Sequence, residues 1–123
     1  MSLRVFLLSL VTWAATLLPL HATELIMIER QGCSYCVEWK AKLGPIYPNT
    51  PEGAFAPLRM VDLSDGLPQD VSFARKVVYT PTFVLVENNT EIGRIEGYPG
   101  EDFFWGLLDM MLKAKTDYMK SSS

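Results

Sequence analysis

Two short segments are apolar at consecutive positions rather than alternating ones. Leu25-Ile26-Met27-Ile28, within Glu24–Glu29, predicts a strand buried on both faces, as in a sheet covered by helices. Thr82–Glu87 is rich in β-branched and aromatic residues and is the strongest strand signal in the chain. Asn88-Asn89-Thr90 predicts a tight turn, and Glu91–Glu96 the return strand of a hairpin. Leu58–Leu63 alternates around Met60 and Val61 and predicts one more strand. Helical periodicity predicts three helices. The first, Cys33–Leu43, stops at Gly44-Pro45 and turns Cys36 and Leu43 inward. The second is short, Gln69–Val77. The third, Glu101–Tyr118, carries Phe104, Leu107, Leu108, Met111 and Leu112 at helical spacing, with Glu101 and Asp102 as first-turn partners of its dipole. Arg30–Gly32, Ser64–Pro68 and Gly97–Gly100 read as turns. Pro45–Pro57 holds four of the eight prolines and reads as a loop with at most an irregular turn. Lys120–Ser123 reads as a frayed tail.

The order is βαβ followed by αββα. A strand–helix–strand unit requires a right-handed crossover and a parallel pair, whereas the closing hairpin is antiparallel. The expected fold class is therefore α/β: a four-strand mixed sheet with helices on both faces. No internal repeat or linker divides it.

The first 22 residues change the picture. Arg4 precedes an apolar run of roughly 14 residues, Val5 to Leu18; Pro19 breaks it, and Leu20-His21-Ala22 ends on a small residue. That order is a secretory signal, expected to be cleaved after Ala22, and the run is short of the ~20 residues of a spanning helix. An uncleaved N-terminal anchor is the rival reading, because Leu20 is bulky where a small residue is preferred. The expected division is thus a signal over residues 1–22 and one domain over 23–123.

Of 123 residues, 49% are hydrophobic and 20% charged, a composition that supports a packed core. Net charge is −3 with no basic face or arginine cluster, which argues against a nucleic-acid partner. Removing residues 1–22 removes Arg4 and His21, so the remaining chain has no histidine.

The only two cysteines are Cys33 and Cys36, in Cys33-Ser34-Tyr35-Cys36. The spacing puts Cys33 at a helix N-terminus, where unpaired N–H groups and the helix dipole favour a thiolate. Thiolate is the form that attacks a disulfide, and Cys36, one turn deeper, is placed to resolve the mixed intermediate. Other readings remain. A structural disulfide closing so short a loop contributes only ~2 kcal/mol in the entropic model. Structural zinc needs four ligands, more than two cysteines without histidine supply. Covalent haem needs a histidine after the second cysteine, where Val37 stands. Cu(I) on two thiolates is chemically allowed. A Cys-x-x-Cys that follows a strand and opens a helix favours redox cycling.

Cys33-Ser34-Tyr35-Cys36 after Leu25–Ile28, Thr80-Pro81-Thr82-Phe83 before Val84–Val86, and Gly93 with Gly97 together resemble the thioredoxin superfamily, over nearly all of Glu24–Lys113. The single strand before the motif, and the tyrosine before the second cysteine, resemble the minimal glutaredoxin-sized form. The export signal and the Thr-Pro turn are most similar to small periplasmic thioredoxins of bacterial sulfur-oxidation (Sox) systems. The resemblance implies a cis Pro81 beside the Cys-x-x-Cys helix, with Thr80 offering backbone hydrogen bonds to substrate. Tyr35 and Ser34 would flank the substrate, although Tyr35 reads equally as a plain exposed ring. The sequence departs from the family in two places. The buried acid that many thioredoxins carry six residues before the first cysteine is Met27 here, and the usual tryptophan before that cysteine is Gly32. Glu29 is a candidate substitute proton acceptor, or simply a solvated strand end. Trp39 reads as core or rim packing.

The function so implied is a periplasmic, monomeric thiol–disulfide oxidoreductase with no metal and no cofactor beyond a redox-active Cys33–Cys36 disulfide. It would reduce a disulfide or cysteine adduct on a partner protein, in a Sox setting a sulfur carrier whose cysteine is blocked, and a membrane electron carrier would re-reduce it. The alternatives are an oxidant or isomerase of folding proteins, a non-cycling Cu(I)-binding module, and a glutathione-dependent glutaredoxin, which the export signal disfavours.

Overall fold

The computed structural model describes residues 23–119. The expected export segment, 1–22, and the tail, 120–123, lie outside the described residues. Four strands, β1 (Thr23–Glu29), β2 (Leu58–Asp62), β3 (Thr82–Glu87) and β4 (Thr90–Glu96), form one sheet in the order β2-β1-β3-β4. β1 runs parallel to β2, with Leu25 opposite Leu58, and antiparallel to β3; β3 and β4 form the expected hairpin. Asn88 and Asn89 sit at φ 51° and 61°, the left-handed pair that a two-residue turn matched to strand twist requires. The α/β class and the mixed four-strand sheet are those expected. The consecutive apolar runs explain why β1 and β3 are the interior strands: Leu25, Met27, Phe83 and Leu85 point to one face, and Ile26, Ile28, Val84 and Val86 to the other.

Helices α1 (Ser34–Lys42), α2 (Pro51–Phe55) and α3 (Glu101–Lys115) cover the first face. Trp39 of α1 is its hub, with ring centroids 5.1 Å from Phe83 and 5.5 Å from Phe104 of α3. Tyr47 stacks on Trp105, its hydroxyl donates to the Ala56 carbonyl at 2.7 Å, and burial pushes its phenol far above the ordinary value. The loop expected over Pro45–Pro57 contains a 3-10 turn, Tyr47–Asn49, and then α2. The Thr50 hydroxyl accepts the Gly53 N–H at 3.0 Å and Pro51 opens the first turn, so local capping builds a helix within a proline-rich stretch. α3 buries Phe104, Leu108 and Leu112. Leu107, expected inside, is 41% exposed, and Met111 is half-buried against β4, where a Cβ on Gly93 would lie 2.8 Å from its sulfur. The helix also ends before Tyr118, which folds back to place its ring 5.2 Å from Phe55.

The second face differs from expectation. Gln69–Val77 is not a helix; apart from one 3-10 turn at Leu63–Asp65, the chain from Leu63 to Val77 crosses this face irregularly and packs Leu63, Leu67, Val71, Phe73 and Val77 onto it. Long-range partners take the backbone groups that a helix would use internally. The Ser72 N–H donates to the Asn89 carbonyl at 2.8 Å, and the Glu91 N–H donates to the Ser72 carbonyl at 2.9 Å. The Ala74 N–H donates to the Glu91 carboxylate at 3.0 Å, and the Arg94 guanidinium donates to the Arg75 and Lys76 carbonyls, each at 3.0 Å. Arg94 also grips Glu91 through two bonds of 2.7 and 2.6 Å, with both side chains at most 4% exposed.

Candidate active site

The site is built where β1 hands over to α1. After Glu29 the chain turns through Arg30, Gln31 and Gly32, and Gly32 takes φ 80°, a region glycine enters freely. Cys33 is the N-cap of α1 and adopts an extended backbone. Its Sγ accepts the Cys36 N–H at 3.1 Å, and its carbonyl accepts the Val37 N–H at 3.2 Å. Cys33 and Cys36 are joined as a disulfide with Cα atoms 5.2 Å apart. The two sulfurs are not equivalent in access: Cys33 is half-buried and Cys36 is 1% exposed. The first turn of α1 contains no acidic residue, so no carboxylate in that turn opposes negative charge at Cys33 once the disulfide opens.

A second chain segment lies against this helix. The peptide bond Thr80–Pro81 is cis. The turn is held from both sides: the buried Thr82 hydroxyl donates to the Tyr79 carbonyl at 2.6 Å, and the Gly97 N–H donates to the Pro81 carbonyl at 2.7 Å. Gly97 adopts φ 87°, which a residue with a Cβ rarely does. Phe83, two residues after Pro81, packs on Trp39, tying the turn to the cysteine helix through the core. Trp39 is thus core rather than rim.

Between helix and turn lies a cleft of about 430 Å³. Tyr35 of α1 lines it together with Tyr79 and Thr80 of the turn, Gly97 and Tyr98 contribute from the segment after β4, and Arg30 and Glu96 complete the lining. On the other side of Tyr35, a hollow of about 360 Å³ is shared with Glu38, Tyr98, Pro99 and Gly100. Burial, and next the Glu38 carboxylate, hold the Tyr98 phenol above its ordinary value. Of the residues singled out in the sequence, the structure bonds Cys33 to Cys36 and brings Tyr35 and Thr80 to the lining of one cleft, while Pro81 is buried and Ser34 is exposed at the start of α1. Tyr79, Tyr98, Arg30 and Glu96 were not anticipated. Tyr79 and Tyr98 flank the Thr-Pro and Gly97 positions, and that adjacency was the available signal.

Met27 is fully buried in the apolar core. The Glu29 carboxylate is ion-paired with Lys40 of α1 at 2.6 Å, and so is neither simply solvated nor hydrogen-bonded to a cysteine. Among the described residues, no group of three or more His, Cys, Asp or Glu is arranged to hold a metal.

Comparison with known proteins sets this geometry beside solved structures. The periplasmic thioredoxin SoxS from Paracoccus pantotrophus, in its reduced form, is 47% identical, with a TM-score of 0.72 over 74% of this chain and 96% of that one. A thioredoxin of Malassezia sympodialis is 20% identical, with a TM-score of 0.54 over 74% of this chain and 76% of that one. The thioredoxin of Fasciola hepatica is 17% identical, with a TM-score of 0.55 over 74% of this chain and 82% of that one. At those two lower identities the likeness is one of fold alone. No family model and no curated protein matches the chain.

Proposed function

The chain belongs to the thioredoxin family and is a thiol–disulfide oxidoreductase; from that premise we propose that it works in the periplasm as a reductant of partner proteins, with Cys33 as nucleophile and Cys36 as resolving thiol. The observation that carries this reading is the unequal placement of the sulfurs: Cys33 half-exposed at the helix N-cap with the Cys36 N–H aimed at it, and Cys36 behind it in the core.

In the reduced protein the Cys33 thiolate attacks one sulfur of the partner's disulfide or cysteine adduct. A bond forms between that sulfur and Cys33 Sγ, and the other sulfur leaves as a thiolate that takes up a proton. Cys36 then loses its proton and attacks Cys33 Sγ. The mixed disulfide breaks, the partner's cysteine departs as a thiol, and the Cys33–Cys36 disulfide is restored. Two electrons pass to the partner, and the protein dithiol is oxidised. Thr80 and Pro81 offer backbone against which a partner strand aligns, and Tyr35 and Ser34 border it. The disulfide is the redox centre, and the mechanism calls for no separate cofactor or metal. Export over residues 1–22 leaves the domain to act as a monomer, and a membrane dithiol carrier returns the electrons. The likeness to the periplasmic SoxS supports a sulfur-carrier protein with a blocked cysteine as the partner.

The test is the equilibrium reduction potential of the Cys33–Cys36 pair in a thiol/disulfide buffer. A value of about −270 mV or lower is expected for a reductant. A value near −120 mV would make the protein an oxidant of folding proteins. The absence of a reversible couple would favour the Cu(I)-binding alternative.

A further inference from the structure

Beside the half-buried Cys33, the molecule leaves large aromatic surface in water. Tyr35 is 59% exposed and Tyr79 is 60% exposed, and they are walls of the same cleft, with the largely buried Tyr98 also lining it. Two exposed aromatic rings lining one cleft keep a conformational cost low on binding, because each has few torsions to lose, and their surfaces favour a further aromatic or apolar group. A cleft of about 430 Å³ lies at the lower end of the ~300–1,000 Å³ usual for ligand sites. It is of a size for a short extended segment, not a folded surface.

The charges at its edge are unequal. Glu96 is already engaged by Arg75 at 2.9 Å and by Arg94 at 3.7 Å. Arg30 is exposed and has no carboxylate within ion-pair distance among the described residues. The available charge in the cleft is therefore a guanidinium, which suits a carboxylate through two parallel hydrogen bonds.

We infer that this cleft selects the partner: it takes an extended segment whose reactive cysteine is flanked by an aromatic residue, which packs on Tyr35 and Tyr79, and by an acidic residue that reaches Arg30. This specificity rests on the oxidoreductase reading above. The rings and the guanidinium act on binding, whereas the two sulfurs perform the exchange.

The test uses the intact reduced protein and short peptides whose single cysteine carries a nitrothiobenzoate group as a mixed disulfide. Reduction releases peptide thiol and coloured nitrothiobenzoate as Cys33 and Cys36 become a disulfide. Asp-Cys-Phe, Gly-Cys-Phe, Asp-Cys-Gly and Gly-Cys-Gly cores, with the reversed Phe-Cys-Asp, Phe-Cys-Gly and Gly-Cys-Asp cores, are compared by kcat/KM within each variant. The wild type is expected to prefer the better of Asp-Cys-Phe and Phe-Cys-Asp over Gly-Cys-Gly by about tenfold, mostly in KM, a ratio in keeping with one aromatic contact and one exposed ion pair. Tyr79→Ala should abolish the preference for Phe over Gly, and Tyr79→Phe should retain it. Arg30→Gln should abolish the preference for Asp alone. Equal turnover of all these peptides by the wild type, or a Phe preference that survives Tyr79→Ala, would overturn the assignment while leaving the oxidoreductase intact. Release from none of the peptides would instead remove the oxidoreductase reading, and the cleft assignment with it.

Discussion

At the scale of single residues, the chemistry depends on a difference in access between two sulfurs one helical turn apart. Cys33 has the Cys36 N–H at 3.1 Å, and Cys36 is almost wholly enclosed. Cys36→Ser should therefore accumulate a partner covalently bound through Cys33, visible as an added mass that thiols remove, while Cys33→Ser should trap nothing. The reverse pattern would exchange the two roles. Trp39 makes a separate demand, because its ring meets Phe83 of the cis-proline turn and Phe104 of α3 at once. Trp39→Ala is expected to cost ~3–5 kcal/mol in urea unfolding; a loss below ~1 kcal/mol would mean that the hub closes over the cavity. The Cys33–Cys36 disulfide and the cis Thr80–Pro81 bond were legible in the sequence because each lies within a contiguous motif. The sharing of one cleft by Tyr35 and Tyr79 was not, since it depends on how a loop more than forty residues away lands beside α1. Glu29 was legible as a candidate, but its partner Lys40 emerges only when α1 packs over the end of β1.

At the scale of elements, the strands were the readable part. An apolar run with no alternation can be satisfied only by an interior strand, and β1 and β3 occupy those places. Gln69–Val77 misled because helical spacing was the only signal its sequence offered, whereas Arg94 and Glu91, two strands later in the sheet, decide its shape. That dependence is testable. Arg94→Ala leaves a buried carboxylate without its counter-charge and two carbonyls without their donor, and should cost ~3–5 kcal/mol. The pair also gives stability a defined dependence on pH. Burial tends to raise the Glu91 pKa, but its bonds to Arg94 and the Ala74 N–H outweigh burial, so the folded value lies below the ordinary 4.5. The unfolded chain thus binds a proton first on acidification: the contribution is complete above about pH 4.5 and is lost as pH falls through the folded value. Unfolding midpoints in urea should decline on this acid limb for the wild type and decline less for Glu91→Gln. Equal slopes would show that Glu91 is not what the acid titrates.

At the scale of the whole molecule, redox state and stability are linked. A reductant holds its disulfide more firmly when folded than an unfolded chain does, so its oxidised form is the more stable. Reduction should lower the Tm, by roughly 4–8 °C per kcal/mol for a domain of this size. A Tm that rises on reduction would belong to an oxidant. The two faces of the sheet are also dressed unlike each other: three helices seal the cysteine side, and a strap with a single 3-10 turn crosses the other. Amide exchange should report two tiers, with β1 and β3 opening only in global unfolding and the strap exchanging through smaller, earlier excursions. The strap runs straight into Tyr79, Thr80 and Pro81, so each excursion pulls on one jaw of the partner cleft while the other jaw, on α1, stays put. On warming, discrimination between partners should fade before the capacity to exchange disulfides does, leaving over a window of temperature an enzyme that still works but no longer chooses.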